Sequence, residues 1–283
     1  MIIGVDIGGS NIRAAQVTSN GKIKKMVTLP TEPEKSRQHT INNILSAIEQ
    51  VFNSKVTGIG MGSAGNIKDG IIYNPPNIPK FKKVNLKKIV RDKFKVRVEF
   101  DNDANCFAMA EAHFGQGKGK RVVVGNIHGT GFGCGIVIDG KPYGGRDNNA
   151  GEFGMIYVGD GPRGILEDFC SGSFIKRQAK KYKLSKTKPQ EVEKLALKGN
   201  KKAQKAYEEY AENIAYACSI ITCAFNPDII VLGGGTAQAY KVFGKHIRKY
   251  FKSYIVYKET ADTTIVASKL KEPGILGAAG LVK

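Results

Sequence analysis

Several features of exported and membrane-bound proteins are missing from this sequence of 283 residues. Its five cysteines are scattered without a C-x-x-C pair, so neither a disulfide framework nor a thiolate zinc site is indicated. No apolar run reaches the roughly 18 residues that a membrane span needs. The N-terminus lacks the basic leader of a signal peptide. We therefore expect a cytoplasmic protein without a membrane partner.

Acidic residues are also scarce, because 25 Asp and Glu stand against 44 Lys and Arg, for a net charge of +19. The excess is concentrated in residues 176–205, a stretch with helical character. Such a surplus raises the possibility of a polyanionic partner, with nucleic acid as the first candidate. The stretch lacks interleaved base-stacking aromatics and a helix-turn-helix pattern. A solvated helical face is therefore favoured over a nucleic-acid site.

Glycine is abundant, and its clusters twice follow β-rich runs. The first copy contains three such runs, Ile2–Asp6, Ile12–Thr18 and Ile23–Leu29. The second copy begins with two, Val122–Ile127 and Gly135–Ile138. Two copies of strand, glycine turn and strand, each followed by mixed helices and strands, predict two α/β domains of related design with a cleft between them. The predicted boundary lies within residues 114–120.

Apolar residues at helical spacing predict an amphipathic helix over about residues 40–52. The stripe consists of Ile41, Ile44, Leu45, Ile48 and Val51. A further buried strand, Ile229–Leu232, ends in three consecutive glycines.

The segment from Asp6 to Asn11 joins two predicted strands through Gly8, Gly9 and Ser10. Glycines in a tight turn let backbone N–H groups face a phosphate, and an Asp at a strand end can hold Mg²⁺ through water. A plain hairpin would not need the acidic residue, two glycines and a small hydroxyl together. A functional role is therefore favoured, and the turn Gly129–Gly133 follows the same logic.

Carboxylates and amides cluster in the segment Asp101-Asn102-Asp103-Ala104-Asn105, at a strand end and helix start. One carboxylate there could accept a proton from a sugar hydroxyl while the amides hold neighbouring hydroxyls. A helix cap explains one Asp or Asn, but not four polar groups in five residues. Glu152 and Glu167 add carboxylates beside glycines, although either one taken singly is more often a surface residue.

Taken in order, these segments resemble the ROK family of sugar kinases and repressors, within the actin-like ATPase superfamily, over nearly the whole chain. The resemblance implies two actin-like (ribonuclease H-like) α/β domains with an interdomain cleft. Residues 1–115 would form a sugar and phosphate domain, and residues 116–273 a nucleotide-binding domain. The C-terminal helix, about residues 274–283, would pack back on the first domain.

The resemblance also assigns roles to individual residues. It makes Asp103, and not Asp101, the catalytic base. It assigns sugar contacts to Gly65, Asn77, Asn102, Asp103, Glu152 and Glu167. It assigns phosphate and nucleotide contacts to Asp6, Gly8, Gly9, Ser10, Asn11, Gly129, Thr130, Gly131, Gly133, Gly233, Gly234 and Gly235. Asn11 stands where the family commonly has Lys.

Two departures from the family pattern matter. Met155 occupies the position, three residues after the sugar-binding Glu152, where members usually have His. The interval 157–164, in the region where members commonly carry a cysteine-rich zinc knuckle, has no cysteine. We therefore expect no structural zinc, and the usual glucose assignment is less secure.

The implied activity is transfer of the terminal phosphoryl group of ATP, with Mg²⁺, to a hydroxyl of a glucose-like hexose, at O6, in a closing cleft. Two alternatives stay open, an N-acetylmannosamine or N-acetylglucosamine kinase and a non-catalytic, sugar-responsive regulator of the same fold. The phosphoryl donor also stays open, because a basic surface could suit polyphosphate as well as ATP. The phosphate motif begins at residue 6, so we expect no preceding DNA-binding domain. A homodimer is the expected assembly.

Overall fold

The computed structural model describes all 283 residues and divides them into two compact units. The first unit comprises Met1–Gly119, Gly135–Ala150 and Lys269–Lys283, and the second comprises Lys120–Cys134 and Gly151–Ser268. The domain limits predicted from the sequence stay a prediction. No helix combines the length and the apolar character that crossing a membrane requires.

Thirteen strands and nine α-helices make up the chain. The strands are β1 (Ile2–Ile7), β2 (Asn11–Val17), β3 (Ile23–Pro30), β4 (Gly58–Ser63), β5 (Asn66–Lys68), β6 (Ile71–Tyr73), β7 (Lys83–Val84), β8 (Arg97–Asn102), β9 (Val122–His128), β10 (Phe132–Ile138), β11 (Lys141–Pro142), β12 (Ile229–Gly233) and β13 (Thr264–Ala267). The α-helices are α1 (Arg37–Val51), α2 (Leu86–Phe94), α3 (Asp103–Phe114), α4 (Leu166–Cys170), α5 (Gly172–Lys181), α6 (Pro189–Leu197), α7 (Lys201–Phe225), α8 (Tyr240–Tyr254) and α9 (Pro273–Gly280). Three short 3₁₀ helices span Phe153–Met155, Thr236–Ala239 and Lys258–Asp262.

Two five-stranded sheets have the same order of strands. The first is β3-β2-β1-β4-β8, in which β1, β2 and β3 are antiparallel neighbours and β4 and β8 continue parallel to β1. The second is β11-β10-β9-β12-β13, with β9, β12 and β13 parallel. This repeated order confirms the prediction of two α/β halves of related design. A small third sheet, β5-β6-β7, had no counterpart in the sequence prediction.

The predicted amphipathic helix forms α1, which begins a few residues earlier than expected. Ile41, Ile44, Ile48 and Val51 are buried as the spacing required. Ser36 ends the preceding loop and accepts a hydrogen bond from the backbone N–H of His39, which satisfies one of the free donors of the first turn.

Helix α9 lies directly on the sheet of the first unit, because glycines leave room for its backbone. A Cβ at Gly60 of β4 would lie 1.7 Å from the carbonyl oxygen of Ala278, and one at Gly277 would lie 1.6 Å from that of Cys106 in α3. No side chain fits in either place. The glycines thus hold α9 against β4 and α3, and the N-terminal end of α9 lies beside the end of β1.

Candidate active site

The turn between β1 and β2 is held by backbone hydrogen bonds and by a side chain that sequence reasoning missed. The N–H of Gly8 donates to the carbonyl of Asn11 (2.9 Å). Thr31, fully buried after β3, donates its hydroxyl to the Gly8 carbonyl (2.7 Å) and its N–H to the Ser10 carbonyl (2.9 Å). This anchoring fixes the backbone of the predicted phosphate turn.

Asp6 lies at the end of β1, opposite Arg13 of β2. The Arg13 guanidinium forms ion pairs with Asp6 and with Glu272, the latter at 2.5 Å. Gly274 packs against the carboxylate, since a Cβ there would lie 2.9 Å from Asp6 Oδ2. Arg13 and Gly274 therefore fix the orientation of the carboxylate that was predicted to hold Mg²⁺.

The two carboxylates of the segment Asp101–Asn105 have different surroundings. Asp101 is buried, and its Oδ1 accepts three hydrogen bonds, from the N–H of Asn102 (2.7 Å), the amide of Asn105 (3.0 Å) and the amide of Asn148 (2.9 Å). The Asn148 amide also donates to the carbonyl of Ile67 (2.7 Å). Asp101 thus serves as a structural hub that joins three segments of the first unit.

Asp103 is half-buried and begins helix α3, with Asn102 as its N-cap. The Asn102 amide donates to the carbonyl of Gly65 (3.0 Å), so the predicted sugar loop lies beside the predicted catalytic segment. The Oδ1 of Asp103 accepts from the N–H of Ala104 (3.0 Å). The positive end of the helix dipole favours the ionised form of such a carboxylate.

Asn77, another predicted sugar contact, is exposed and packs against the predicted phosphate turn between β1 and β2. A Cβ at Gly9 would lie 3.0 Å from Asn77 Cβ. The first unit therefore brings Asn77 to Gly9 and Gly65 to Asn102, which joins the predicted sugar and phosphate segments of that unit.

In the second unit, Glu167 of α4 contacts the turn Gly129–Gly133. Its Oε2 accepts from the N–H of Phe132 (2.8 Å), and a Cβ at Gly131 would lie 2.5 Å from that oxygen. Its Oε1 accepts from Arg163 Nη2 (2.6 Å). The carboxylate predicted to bind sugar is thus already oriented by two donors, and its remaining lone pairs are available to a hydroxyl.

Glu152 precedes the 3₁₀ helix Phe153–Met155 and has its side chain open to solvent. Partial desolvation, followed by the charge of Glu167, raises the pKa of Glu152. The second unit therefore brings the two predicted sugar carboxylates close enough to interact electrostatically. Met155, at the position of the missing His, is half-exposed.

The loop that follows Met155 is closed by protein groups. The N–H of Val158 donates to the carbonyl of Gly164 (2.8 Å), and the buried carboxylate of Asp168 accepts from the N–H groups of Arg163 (2.8 Å) and Ile165 (3.3 Å). No group of three or more His, Cys, Asp and Glu side chains is arranged to hold a metal ion. The absence of zinc stays a prediction.

The second glycine turn opens on a cavity of about 360 Å³, which we call the Gly129 cavity. Its size is within the range of about 300–1,000 Å³ typical of small-molecule sites. The cavity is lined by Gly129, Thr130, Gly172, Ser173, Lys176, Lys188, Pro189, Gln190, Gly235 and Thr236.

Gly129, Thr130 and Gly235, three of the predicted nucleotide contacts, therefore line one cavity. The four other predicted nucleotide contacts of the second unit do not line it. Gly131 lies against the Glu167 carboxylate, Gly133 belongs to β10, Gly233 ends β12, and Gly234 packs on the backbone of His128 with φ +83°.

Sequence reasoning missed Lys176, Lys188 and Gln190 of the Gly129 cavity, because they lie in or beside the stretch interpreted as a solvated face. The N-terminus of α5 contributes Gly172 and Ser173. Free N–H groups at a helix N-terminus favour an anion. The cavity thus combines glycine backbone, two lysines and a helix N-terminus, which together suit a phosphorylated ligand.

Comparison with known proteins matches this arrangement to one family. Residues 2–283 match the model of the ROK family. The chain is 31% identical to the glucokinase of Thermotoga maritima over 100% of this chain and 97% of that protein. It is 27% identical to the N-acetyl-D-glucosamine kinase of Photobacterium profundum over 99% of each.

Among solved structures, a ROK family glucokinase from Streptomyces griseus, crystallised with glucose and AMPPNP, superposes with a TM-score of 0.82 at 28% identity. The alignment covers 99% of this chain and 98% of that one. The chain belongs to the ROK family, and the predicted α/β fold with two actin-like halves is confirmed.

Proposed function

We propose that this protein transfers the γ-phosphoryl group of ATP to O6 of a hexose, with glucose as the first candidate. Full-length similarity to a glucokinase and to an N-acetylglucosamine kinase makes the protein a sugar kinase. The choice of glucose, of O6 and of ATP is supported by the Streptomyces griseus neighbour, which holds glucose and AMPPNP.

The observation that carries the proposal is the contrast between two neighbouring carboxylates. Asp101 is buried and directs Oδ1 to three protein donors, whereas Asp103 is half-buried at the N-terminus of α3. A general base must be ionised and within reach of the proton that it accepts. Asp103 is the more exposed of the two carboxylates, and we assign it to the attacking hydroxyl.

The donor side of the reaction is assigned to the Gly129 cavity. The side chains of Lys176 and Lys188 and the N-terminus of α5 suit the phosphates, because positioned positive charge supplies much of the catalysis in phosphoryl transfer. Gln190 offers an amide able to hydrogen-bond a base edge.

Asp6 fits a hydrated Mg²⁺, because a carboxylate paired with one arginine still has lone pairs for a water ligand. When bound, Mg²⁺ neutralises charge on the phosphates. Arg13 and Gly274 hold the Asp6 carboxylate in one orientation for that water.

A second candidate substrate is an N-acetylhexosamine. The half-exposed thioether of Met155, beside Glu152, offers an adaptable apolar surface where the family has an imidazole. An N-acetyl methyl group would find an apolar contact there, whereas the free hydroxyl of glucose would lose a hydrogen-bond partner.

One assay tests the proposal and ranks the substrates. ATP consumption would be measured with glucose, mannose, fructose, N-acetylglucosamine and N-acetylmannosamine, and the phosphorylated carbon identified by ³¹P–¹H NMR. Turnover of glucose with phosphate at C6 is the expected result. Higher kcat/KM for an N-acetylhexosamine would favour the second candidate, and binding of a sugar without turnover would favour a non-catalytic regulator.

A further inference from the structure

A second cavity of the second unit, about 620 Å³ in volume, shares no lining residue with the Gly129 cavity. Lys201 and Lys205 of α7 and Lys241 and Lys245 of α8 line it, and we call it the α7–α8 groove. Nothing in the proposed kinase reaction requires this groove.

The charge of the groove is almost all positive and largely uncompensated. Its single carboxylate, Glu208, accepts from the Tyr250 hydroxyl (3.1 Å) and pairs with Lys205 at 3.6 Å. Lys201, Lys241 and Lys245 make no ion pair. Like charges held around one concavity repel each other, and a low-dielectric wall on each side strengthens the field between them. The groove is therefore electrostatically prepared for an anion.

The positive charge continues beyond the groove along one side of α8. Lys241, Lys245, Arg248 and Lys252 are all exposed and follow the spacing i, i+4, i+7, i+11, which aligns them on one face of a helix. Helix α8 contains no acidic residue. At 1.5 Å per residue this row is about 16 Å long. Arg248 and Lys252 also line a further cavity of about 240 Å³.

A row of this length matches an extended chain of negative charges better than a single phosphate group. We propose that the α7–α8 groove and the row on α8 bind a linear inorganic polyphosphate chain. The walls supply lysines, whose compact ammonium groups on flexible stems suit a run of equivalent phosphates better than one fixed bidentate ligand. The site is separate from the Gly129 cavity, and the proposal does not depend on the sugar or on the phosphoryl donor.

The lining of the groove disfavours nucleic acid as its occupant. Single strands are held by aromatic side chains that stack on the bases, and the groove has no Phe, Tyr or Trp. Duplex DNA is read by a helix or ribbon inserted into its own groove, whereas here the protein supplies the concave surface.

The test is a binding titration with long-chain polyphosphate, using isothermal calorimetry at several salt concentrations. The variant Lys241→Glu/Lys245→Glu removes half of the groove lysines. The control Lys24→Glu/Lys25→Glu makes the same change in net charge on the exposed side chains of β3, in the first unit. We expect the groove variant to raise Kd at least 10-fold and to lower the salt dependence of log Kd by about 1 per lysine removed. The control should change Kd by less than about 3-fold, the modest effect expected of exposed charges acting only through long-range attraction.

Three results would overturn the proposal. An equal loss in the two variants would mean that the net charge alone attracts the polymer. Equally tight, equally variant-sensitive binding of a single-stranded RNA of the same charge would make nucleic acid the occupant. If the unaltered protein binds no polyphosphate at about 0.15 M salt, the groove is not a polyphosphate site. A milder pair, Lys241→Gln/Lys245→Gln, keeps the test valid if the glutamates unfold the protein, and unchanged sugar kinase turnover would show that each variant is folded.

Discussion

His128 gives a stability prediction whose size follows from its surroundings. The ring is 1% exposed at the end of β9, and its Nδ1 donates to the carbonyl of Cys170 (2.9 Å), whereas its Nε2 has no partner. The rings of Phe132 and Tyr210 pack around it. Burial, opposed by the hydrogen bond to Cys170, lowers the pKa of His128 from 6.5 to about 4. The folded protein therefore keeps this ring neutral while the unfolded chain protonates it.

The direction of the pH effect on stability follows from the number of protons that the folded and unfolded states bind. Between pH 6.5 and 4 the unfolded chain binds a proton at this position that the folded protein does not, so the free energy of unfolding falls as pH falls through that window. A shift of about 2.5 pKa units corresponds to about 2.5 kcal/mol at pH 4.5. Above pH 6.5 this contribution is constant.

The perturbation is His128→Leu, which removes the titrating group. At pH 7 we expect a stability change below about 1 kcal/mol, because one lost hydrogen bond is offset by removal of a buried nitrogen without a partner. At pH 4.5 the variant should be more stable than the unaltered protein by about 2 kcal/mol. The assay is urea denaturation followed by circular dichroism at pH 7, 6, 5 and 4.5. A difference between the two proteins that does not change with pH would refute the reasoning.

His128→Asn is the matched control, because it cannot titrate but keeps an N–H donor for Cys170. Both variants should share the flat pH profile. The N–H of Gly172 donates to the carbonyl of Gly129 (2.9 Å), so the Cys170 segment supports the wall of the Gly129 cavity. We expect His128→Leu to raise KM for ATP about 3- to 10-fold, as one net hydrogen bond allows, and His128→Asn to restore it. Equal KM values in the two variants would show that the hydrogen bond has no positioning role.

Three further outcomes follow from the candidate site. Asp103→Asn should lower kcat by about 10²–10⁴ with sugar affinity largely kept, as measured by a coupled assay and by sugar titration. If Asp103→Asn turns over normally and a folded Asp101→Asn is inactive, Asp101 is the base. Gly131→Ala should lower kcat/KM about 10-fold or more, because its Cβ would displace Glu167 from the Phe132 N–H, and an unchanged value would show that this contact is dispensable. Elemental analysis of the purified protein should find no bound zinc, whereas one tightly held equivalent would contradict the prediction.

Sequence patterns predicted an element correctly where the interactions that form it lie within one segment of the chain. The stripe Ile41–Val51 predicts α1, since a helix needs only its own period to expose one apolar face. Asn102 caps α3 two residues from the donor that it satisfies. The two copies of strand, glycine turn and strand predicted two related α/β halves, and the repeated strand order confirms this. The short strands β5, β6 and β7 lack any such signal, because two or three residues are too few for a period.

The tertiary structure gives the physical difference between the two carboxylates of the segment Asp101–Asn105. Composition and spacing treat Asp101 and Asp103 alike, and only the resemblance to a family preferred Asp103. Asn148, 47 residues further along the chain, donates to Asp101 and makes it structural. Thr31 likewise reaches Gly8 across 23 residues to fix the predicted phosphate turn. Such contacts depend on the order of strands in the sheet, which no local pattern encodes.

The lysine-rich stretch 176–205 likewise has properties that its sequence determines and others that depend on the fold. Its sequence determined the charge and the helices, and a solvated face was the best interpretation of both. Only the folded chain brings Lys176 and Lys188 to the wall of the Gly129 cavity, and Lys201 and Lys205 opposite the lysines of α8. Lysines spread over a solvent-exposed helix are screened from one another, whereas lysines that face each other across a cavity create a strong local field. Which of the two situations holds depends on the packing of α5, α6, α7 and α8, because packing alone sets the distances between their side chains.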